Sequence, residues 1–226
     1  MDREYIDSLD IKNLQIIRKS GEFTYGADAI ALAKFANIGE DEIVLDIGTG
    51  TGVIPLMLCG MSERGRIIAL EIQEQMYELA VRNVALNSLE ERITPVLGDI
   101  KNYGTLFERA SFSLIVSNPP YYKVGSGKIS PNRQRAISKF EVCCTLEDIV
   151  SAGEYLLKDN GRLCIVILYE RLEELKGLIL KKGMYISRIT NVRHTPEKPF
   201  SYALVEVVRR ECTTIYSEVC TVNERK

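Results

Sequence analysis

Two short stretches of this 226-residue chain combine residue types that could do chemistry. The first is Asp46-Ile47-Gly48-Thr49-Gly50-Thr51-Gly52. Alternating glycines let a backbone turn tightly and let a ligand approach with no Cβ in the way. The spacing Gly-x-Gly-x-Gly departs from the Gly-x-Gly-x-x-Gly of dinucleotide-binding loops and argues against a dehydrogenase. Glu71 follows about 20 residues after these glycines, where a carboxylate can accept both ribose hydroxyls of a nucleoside. Asp99, within Gly98-Asp99-Ile100, could accept a hydrogen bond from an adenine amine. The second stretch is Ser117-Asn118-Pro119-Pro120-Tyr121. Its two prolines stiffen the backbone and offer carbonyl acceptors without an N–H. The Asn118 side-chain oxygen adds a neutral acceptor and Tyr121 a flat face. Together they suit a planar group bearing –NH2, with two acceptors for its two hydrogens and a ring to stack on.

A basic run follows directly. Residues 121–140 hold Lys123, Lys128, Arg133, Arg135 and Lys139 and no acid, a local +5 in a chain of net charge -2. Gly125, Ser126, Gly127 and Pro131 argue against a regular element there. Long loops without secondary structure are usually functional or disordered. We expect Lys123, Arg133 and Arg135 to contact phosphates on either side of a base stacked on Tyr121.

These residues need a scaffold, and the hydrophobic pattern supplies one. Apolar runs at Ile43–Ile47, Arg66–Leu70, Ile93–Leu97, Phe112–Ser117 and Leu163–Leu168 read as strands. Between them lie helical stretches at Val53–Met61 and Glu74–Asn87, the latter with Met76, Leu79, Ala80 and Val84 on one face. Thr145 and Asp148 form a capping-box signature that opens a further helix. Leu172, Leu175 and Ile179 mark the next helix, closed by Gly183. Met184–Val192 and Tyr202–Val208 are two last strands with no helix between them, so they should pair antiparallel. Strands apolar on both faces, separated by helices, predict a mostly parallel sheet covered on both sides. The expected architecture is α/β, seven-stranded, with an antiparallel strand near its C-terminal end. The glycine loop, Glu71, Asp99 and Asn118 all fall at the carboxyl ends of strands, where open α/β sheets bind ligands.

Composition narrows the function class. A pI near 5.7 excludes a protein that coats nucleic acid by overall charge. No apolar run approaches the roughly 20 residues of a membrane helix. The polar, acidic segment Met1–Gln15 is neither a signal nor a transit peptide. Six cysteines without a Cys-x-x-Cys pair, and one histidine, give a zinc site little support. We expect a cytoplasmic protein with reduced thiols, no metal, no membrane association and no obligate protein partner.

The run Asp46–Gly52, Glu71, Asp99 and Asn118–Tyr121 resembles the class I (Rossmann-like) S-adenosylmethionine-dependent methyltransferases that act on an amino nitrogen. Gln15–Phe35, with Phe23, Gly26, Asp28 and Ala29, resembles the bacterial tRNA adenine-N6 methyltransferases that modify valine tRNA. That resemblance implies methyl transfer from S-adenosyl-L-methionine, leaving S-adenosyl-L-homocysteine, to N6 of an adenine in tRNA. It implies catalytic roles for Asn118, Pro119, Pro120 and Tyr121. Cofactor contacts would come from Gly26, Ala27, Asp28, Asp46, Gly48, Gly50, Gly52, Glu71, Asp99, Ile100 and Asn118, with Gly26–Asp28 over the methionine end. The implied organisation is an N-terminal extension at 1–40 that reaches the cofactor site, a methyltransferase domain at 41–210 and a tail at 211–226, expected to be irregular or weakly ordered.

Three rivals stand beside this reading. Release-factor-modifying enzymes share Asn-Pro-Pro-Tyr and methylate a glutamine amide, but they carry a larger helical N-terminal domain than the 40 residues here. Another RNA base amine is the second alternative. A nucleoside-binding module without catalysis is the third, and the complete Asn118–Tyr121 motif argues against it.

Overall fold

The computed structural model describes residues 4–19, 25–122, 141, 143–212 and 214–221. Chain order begins with a hairpin, β1 (Glu4–Ser8) and β2 (Gln15–Lys19), followed by α1 (Ala27–Ala36). Then come β3 (Ile43–Ile47), α2 (Val53–Met61), β4 (Arg66–Glu71), α3 (Glu74–Leu86), β5 (Ile93–Leu97), a short α4 (Tyr103–Leu106) and β6 (Phe112–Ser117). The last part comprises α5 (Leu146–Leu156), β7 (Leu157–Leu168), α6 (Leu172–Lys181), β8 (Tyr185–Arg193), β9 (Tyr202–Val208) and β10 (Tyr216–Thr221).

The main sheet runs β10-β8-β9-β7-β6-β3-β4-β5, with β9 antiparallel to both neighbours and the other pairs parallel. Alternation along the strands sends side chains into two cores. Val44, Leu114, Val116, Cys164 and Val166 pack with α1, α2 and Val84 of α3 on one face. Leu45, Ile115, Leu163, Ile165 and Val205 pack with α5 and α6 on the other. Strand order reverses beside β3, which lies between β4 and β6. The crevice at this reversal is where open sheets of this kind bind ligands.

Local signals account for most helix ends. The Thr145 hydroxyl accepts from Asp148 N while the Asp148 carboxylate accepts from Thr145 N, a complete capping box on α5. Helix α6 ends with Gly183 N donating to Leu180 O and Met184 N to Ile179 O, the Schellman pattern that Gly183 favours.

Four features differ from the expected architecture: the short α4 stands between β5 and β6, β7 starts at Leu157 and not Leu163, and strands form in both the tail and the N-terminal segment. Residues 216–221 of the tail form β10, an eighth strand parallel to β8, instead of an irregular segment. All six of its residues are exposed, so backbone pairing with the edge of β8 holds it and no hydrophobic alternation announces it. Within residues 1–40 the described part holds the hairpin as well as α1. Its turn places Asp10, Lys12 and Asn13 at φ of 54°, 43° and 58°, a conformation usually marked by glycine but tolerated by Asp and Asn. Asn83 of α3 and Asn87, the C-cap of the same helix, tie the hairpin down. Asn87 accepts from Gln15 N at 2.8 Å and donates to Gln15 O at 2.7 Å, and buried Asn83 accepts from Ile17 N at 2.6 Å.

Candidate active site

A cleft with about 1060 Å³ of empty space, open solvent included, lies over the carboxyl ends of β3, β4, β5 and β6. Gly48, Gly50, Glu71, Asp99, Ile100, Asn118, Pro119 and Pro120 line it, so sequence-distant candidates converge on one space. The glycine loop leaves β3 with Gly48, Gly50 and Gly52 at φ of 74°, 57° and 87°, a left-handed path that disfavours side-chain-bearing residues. Gly48 N and Thr49 N both donate to Leu70 O, at 2.9 and 3.0 Å, which hangs the loop on the end of β4. Asn83 Nδ2 donates to Thr51 O at 2.9 Å, coupling the same loop to α3 and, through Ile17, to the hairpin.

Glu71 is almost fully buried at the end of β4. Its Oε2 accepts from Gly50 N at 2.8 Å, and Oε1 accepts from Ile72 N at 3.0 Å and Gln73 N at 2.8 Å. Burial raises its pKa, opposed by these N–H donors. A carboxylate has about four acceptor positions, so it can brace the loop and still accept from hydroxyls in the cleft. Two further oxygens along the cleft, Thr49 Oγ1 and Gln73 Oε1, are buried with no hydrogen-bond partner among the described residues. Asp99 caps the turn at Ile100–Asn102 by accepting from Lys101 N at 2.9 Å.

Asp46 does not line the cleft. It is fully buried beneath the loop, and neither carboxylate oxygen has a hydrogen-bond partner among the described residues. Burial pushes its pKa up to about 7, with a contribution from nearby Glu71. The Thr49 hydroxyl opposes the rise without completing a hydrogen bond.

The Asn118 motif sits beside the glycine loop because β6 pairs with β3, Ile47 opposite Ser117, and Ser117 Oγ donates to Ile47 O at 3.0 Å. Asn118, Pro119 and Pro120 face the cleft, whereas the Tyr121 side chain turns to the N-terminus of α1. There Asp28 accepts from Asn118 Nδ2 at 3.1 Å and from the Tyr121 hydroxyl. Gly26 is the N-cap of α1 and Ala27 its first residue. Lys123, Arg133 and Arg135 lie outside the described residues.

Several residues here carried no sequence signal. Tyr25, Met76, Cys143 and Cys144 line the cleft. Cys144 is pushed up to about 12 by burial and neighbouring carboxylates, so it is a thiol and a poor nucleophile at neutral pH. Arg171, at the start of α6, donates to Tyr121 O at 3.3 Å. None of these shows a spacing that singles it out for the site, since the spacing of Met76 marks only a buried helix face.

The chain matches the TRM5/TYW2 methyltransferase domain over residues 28–144. It is 34% identical over 200 residues to the tRNA1(Val) (adenine(37)-N6)-methyltransferase of Porphyromonas gingivalis, covering 85% of this chain and 77% of that one. The enzyme of the same name from Flavobacterium johnsoniae is 33% identical over 193 residues, covering 84% of this chain and 80% of the relative. The chain belongs to this methyltransferase family. Its fold is similar to that of M. jannaschii TYW2, solved in complex with AdoMet, with a TM-score of 0.61 at 16% identity, over 92% of this chain and 86% of that one. A ribosomal protein L11 methylase from Lactobacillus delbrueckii gives a TM-score of 0.58 at 16% identity, over 84% and 81% of the two chains. The sheet is therefore that of a class I methyltransferase, with an added edge strand. Among the described residues no group of three or more His, Cys, Asp or Glu could hold a metal ion, and no helix is long and apolar enough to cross a membrane.

Proposed function

We propose that this chain methylates N6 of an adenine in tRNA, using S-adenosylmethionine, in the cytoplasm. The observation that carries the reading is the meeting of the Asn118-Pro119-Pro120 acceptors with the Gly48–Gly50 cradle and Glu71 in one cleft. The cleft suits such a cofactor. Gly48 and Gly50 open onto space that a Cβ would enter, Glu71 can accept ribose hydroxyls, and Asp99 beside Ile72 and Ile100 offers an acceptor next to an apolar slot. Relatives named for tRNA adenine N6 support the substrate.

When bound, S-adenosylmethionine supplies a methyl carbon made electrophilic by its sulfonium. The chain's own task is to make a poor nucleophile attack. The lone pair of an adenine amine is delocalised into the ring. The Asn118 side-chain oxygen and the Pro119 carbonyl accept its two hydrogens, draw the nitrogen toward tetrahedral geometry and localise the lone pair. The prolines hold those acceptors still, and the stiff loop fixes the direction of approach, so positioning does most of the work. Tyr121, its hydroxyl anchored on Asp28, would hold an extruded base by stacking.

The test is nucleoside mass spectrometry of tRNA incubated with the protein and methyl-labelled cofactor. N6-methyladenosine in one tRNA is the expected product. Label in a release-factor glutamine, with none in tRNA, would replace this reading with the protein-methylating one.

A further inference from the structure

The contacts of Asp28 give it a part in the chemistry that proximity to a cofactor does not describe. Its Oδ2 takes two hydrogen bonds, from Asn118 Nδ2 at 3.1 Å and from the Tyr121 hydroxyl. A carboxylate has acceptors only, so an amide beside it must turn its –NH2 toward it. With the amide nitrogen on Asp28, the Asn118 oxygen is the polar atom left for the cleft that this side chain lines. A flipped amide would set N–H groups against the N–H groups of an incoming amine and could accept neither.

We infer that Asp28 is a positioning residue that locks the Asn118 amide with its oxygen toward the substrate amine. The inference rests on the methyl transfer proposed above. Three features of the fold keep Asp28 in place. It stands in the first turn of α1, where the helix dipole favours a carboxylate. Gly26 leaves room for it, since a Cβ there would lie 2.2 Å from Asp28 Oδ1. The far end of α1 is held by two arginines. Arg162 donates to Ala36 O and Asn37 O at 3.0 and 3.1 Å, and Arg188 donates to Phe35 O at 2.7 Å.

The experiment combines kinetics with a structural readout. Asp28→Ala should lower kcat about 10- to 100-fold while S-adenosylmethionine affinity, by calorimetry, stays within about threefold. Asp28→Asn keeps a side-chain oxygen for Asn118 Nδ2 and should recover kcat to within about fivefold of wild type. Gly26→Ala should fall between the two. Adding Asp28→Ala to Asn118→Ala should cost less than about threefold more, because both changes remove one interaction. In 15N spectra of the ligand-free protein, the Asn118 side-chain –NH2 should exchange with solvent at least about tenfold more slowly in wild type than in Asp28→Ala. Multiplicative losses in the double variant, an Asp28→Asn as slow as Asp28→Ala, or cofactor affinity reduced more than tenfold would each overturn the inference and assign the carboxylate to the cofactor. Equal exchange in the spectra overturns it on geometry alone, whatever the substrate. Wild-type protein that leaves tRNA unmethylated but shows the protected amide overturns the proposed function and upholds the Asp28–Asn118 lock.

Discussion

Arg171 and Glu141 form an ion pair at 2.7 Å, with each side chain only 9% exposed. The pair stands where several elements meet. Arg171 also donates to Tyr121 O at 3.3 Å, Glu141 Oε1 accepts from Leu146 N at 3.2 Å, and Glu141 N donates to Tyr122 O at 2.8 Å. The exit of the Asn-Pro-Pro-Tyr motif is thereby fastened to the first residue of α5 and, through Glu174, to the first turn of α6. The backbones of Tyr122 and Glu141 are thus joined directly by a hydrogen bond.

Removing one partner of a buried pair strands the other charge. Arg171→Ala should therefore cost about 3–5 kcal/mol in urea unfolding. Arg171→Met combined with Glu141→Leu should regain most of that loss, because no charge is then left buried. A single-variant loss below about 1 kcal/mol would show that the pair behaves as a solvated one.

Glu71→Ala removes an acceptor for ribose hydroxyls and three backbone braces. S-adenosylmethionine binding should weaken by about 1.5–3 kcal/mol, read by calorimetry. Unchanged affinity would take Glu71 out of the site, and tight NAD binding would contradict the methyltransferase assignment.

Asn118→Ala should leave cofactor affinity within a few fold and reduce kcat by about 100-fold or more, the scale of losing a preorganised transition-state hydrogen bond. Near-normal turnover would sink the two-acceptor mechanism.

Asp46 titrates near pH 7 in the fold, against an ordinary carboxylate value of 3.8. Between these values the folded chain holds a proton that the unfolded chain has released. The ligand-free protein should lose stability as pH rises from about 4 to about 7, then level off. Urea midpoints across that range test it. Asp46→Asn should flatten the slope, and a variant with the wild-type slope would assign the dependence to another group.

Arg133→Ala with Arg135→Ala should weaken tRNA binding and flatten its log–log salt dependence by up to about two units, leaving cofactor binding unchanged. An unchanged slope would show that these arginines do not grip phosphate.

Much of this molecule was legible in the chain itself. Apolar runs and helical spacing located the strands from Ile43 to Val208 and the longer helices between them, because each of those elements buries one or two faces in the two cores, whereas the short α4 buries no residue and left no pattern. Glycine spacing, the acid after the second apolar run and Asn118-Pro119-Pro120 marked the cleft, because their chemistry depends on backbone freedom, charge and missing N–H groups that residue type alone dictates. Elements without a buried face escaped. Strand β10 is exposed throughout, and the hairpin is held by the side chains of Asn83 and Asn87, more than 60 residues away in the chain.

Tertiary structure alone decided which way the functional groups point. Nothing in local sequence links Asp28 to Asn118, or Arg171 to Tyr121 and Glu141. Such partnerships arise only when parallel pairing of β6 with β3 and β7 brings strand ends together and the packing of α1 sets its N-terminus over them. The buried Asp46 follows the same logic. Its type is plain in the sequence, but its raised pKa comes from the desolvation that the surrounding fold imposes.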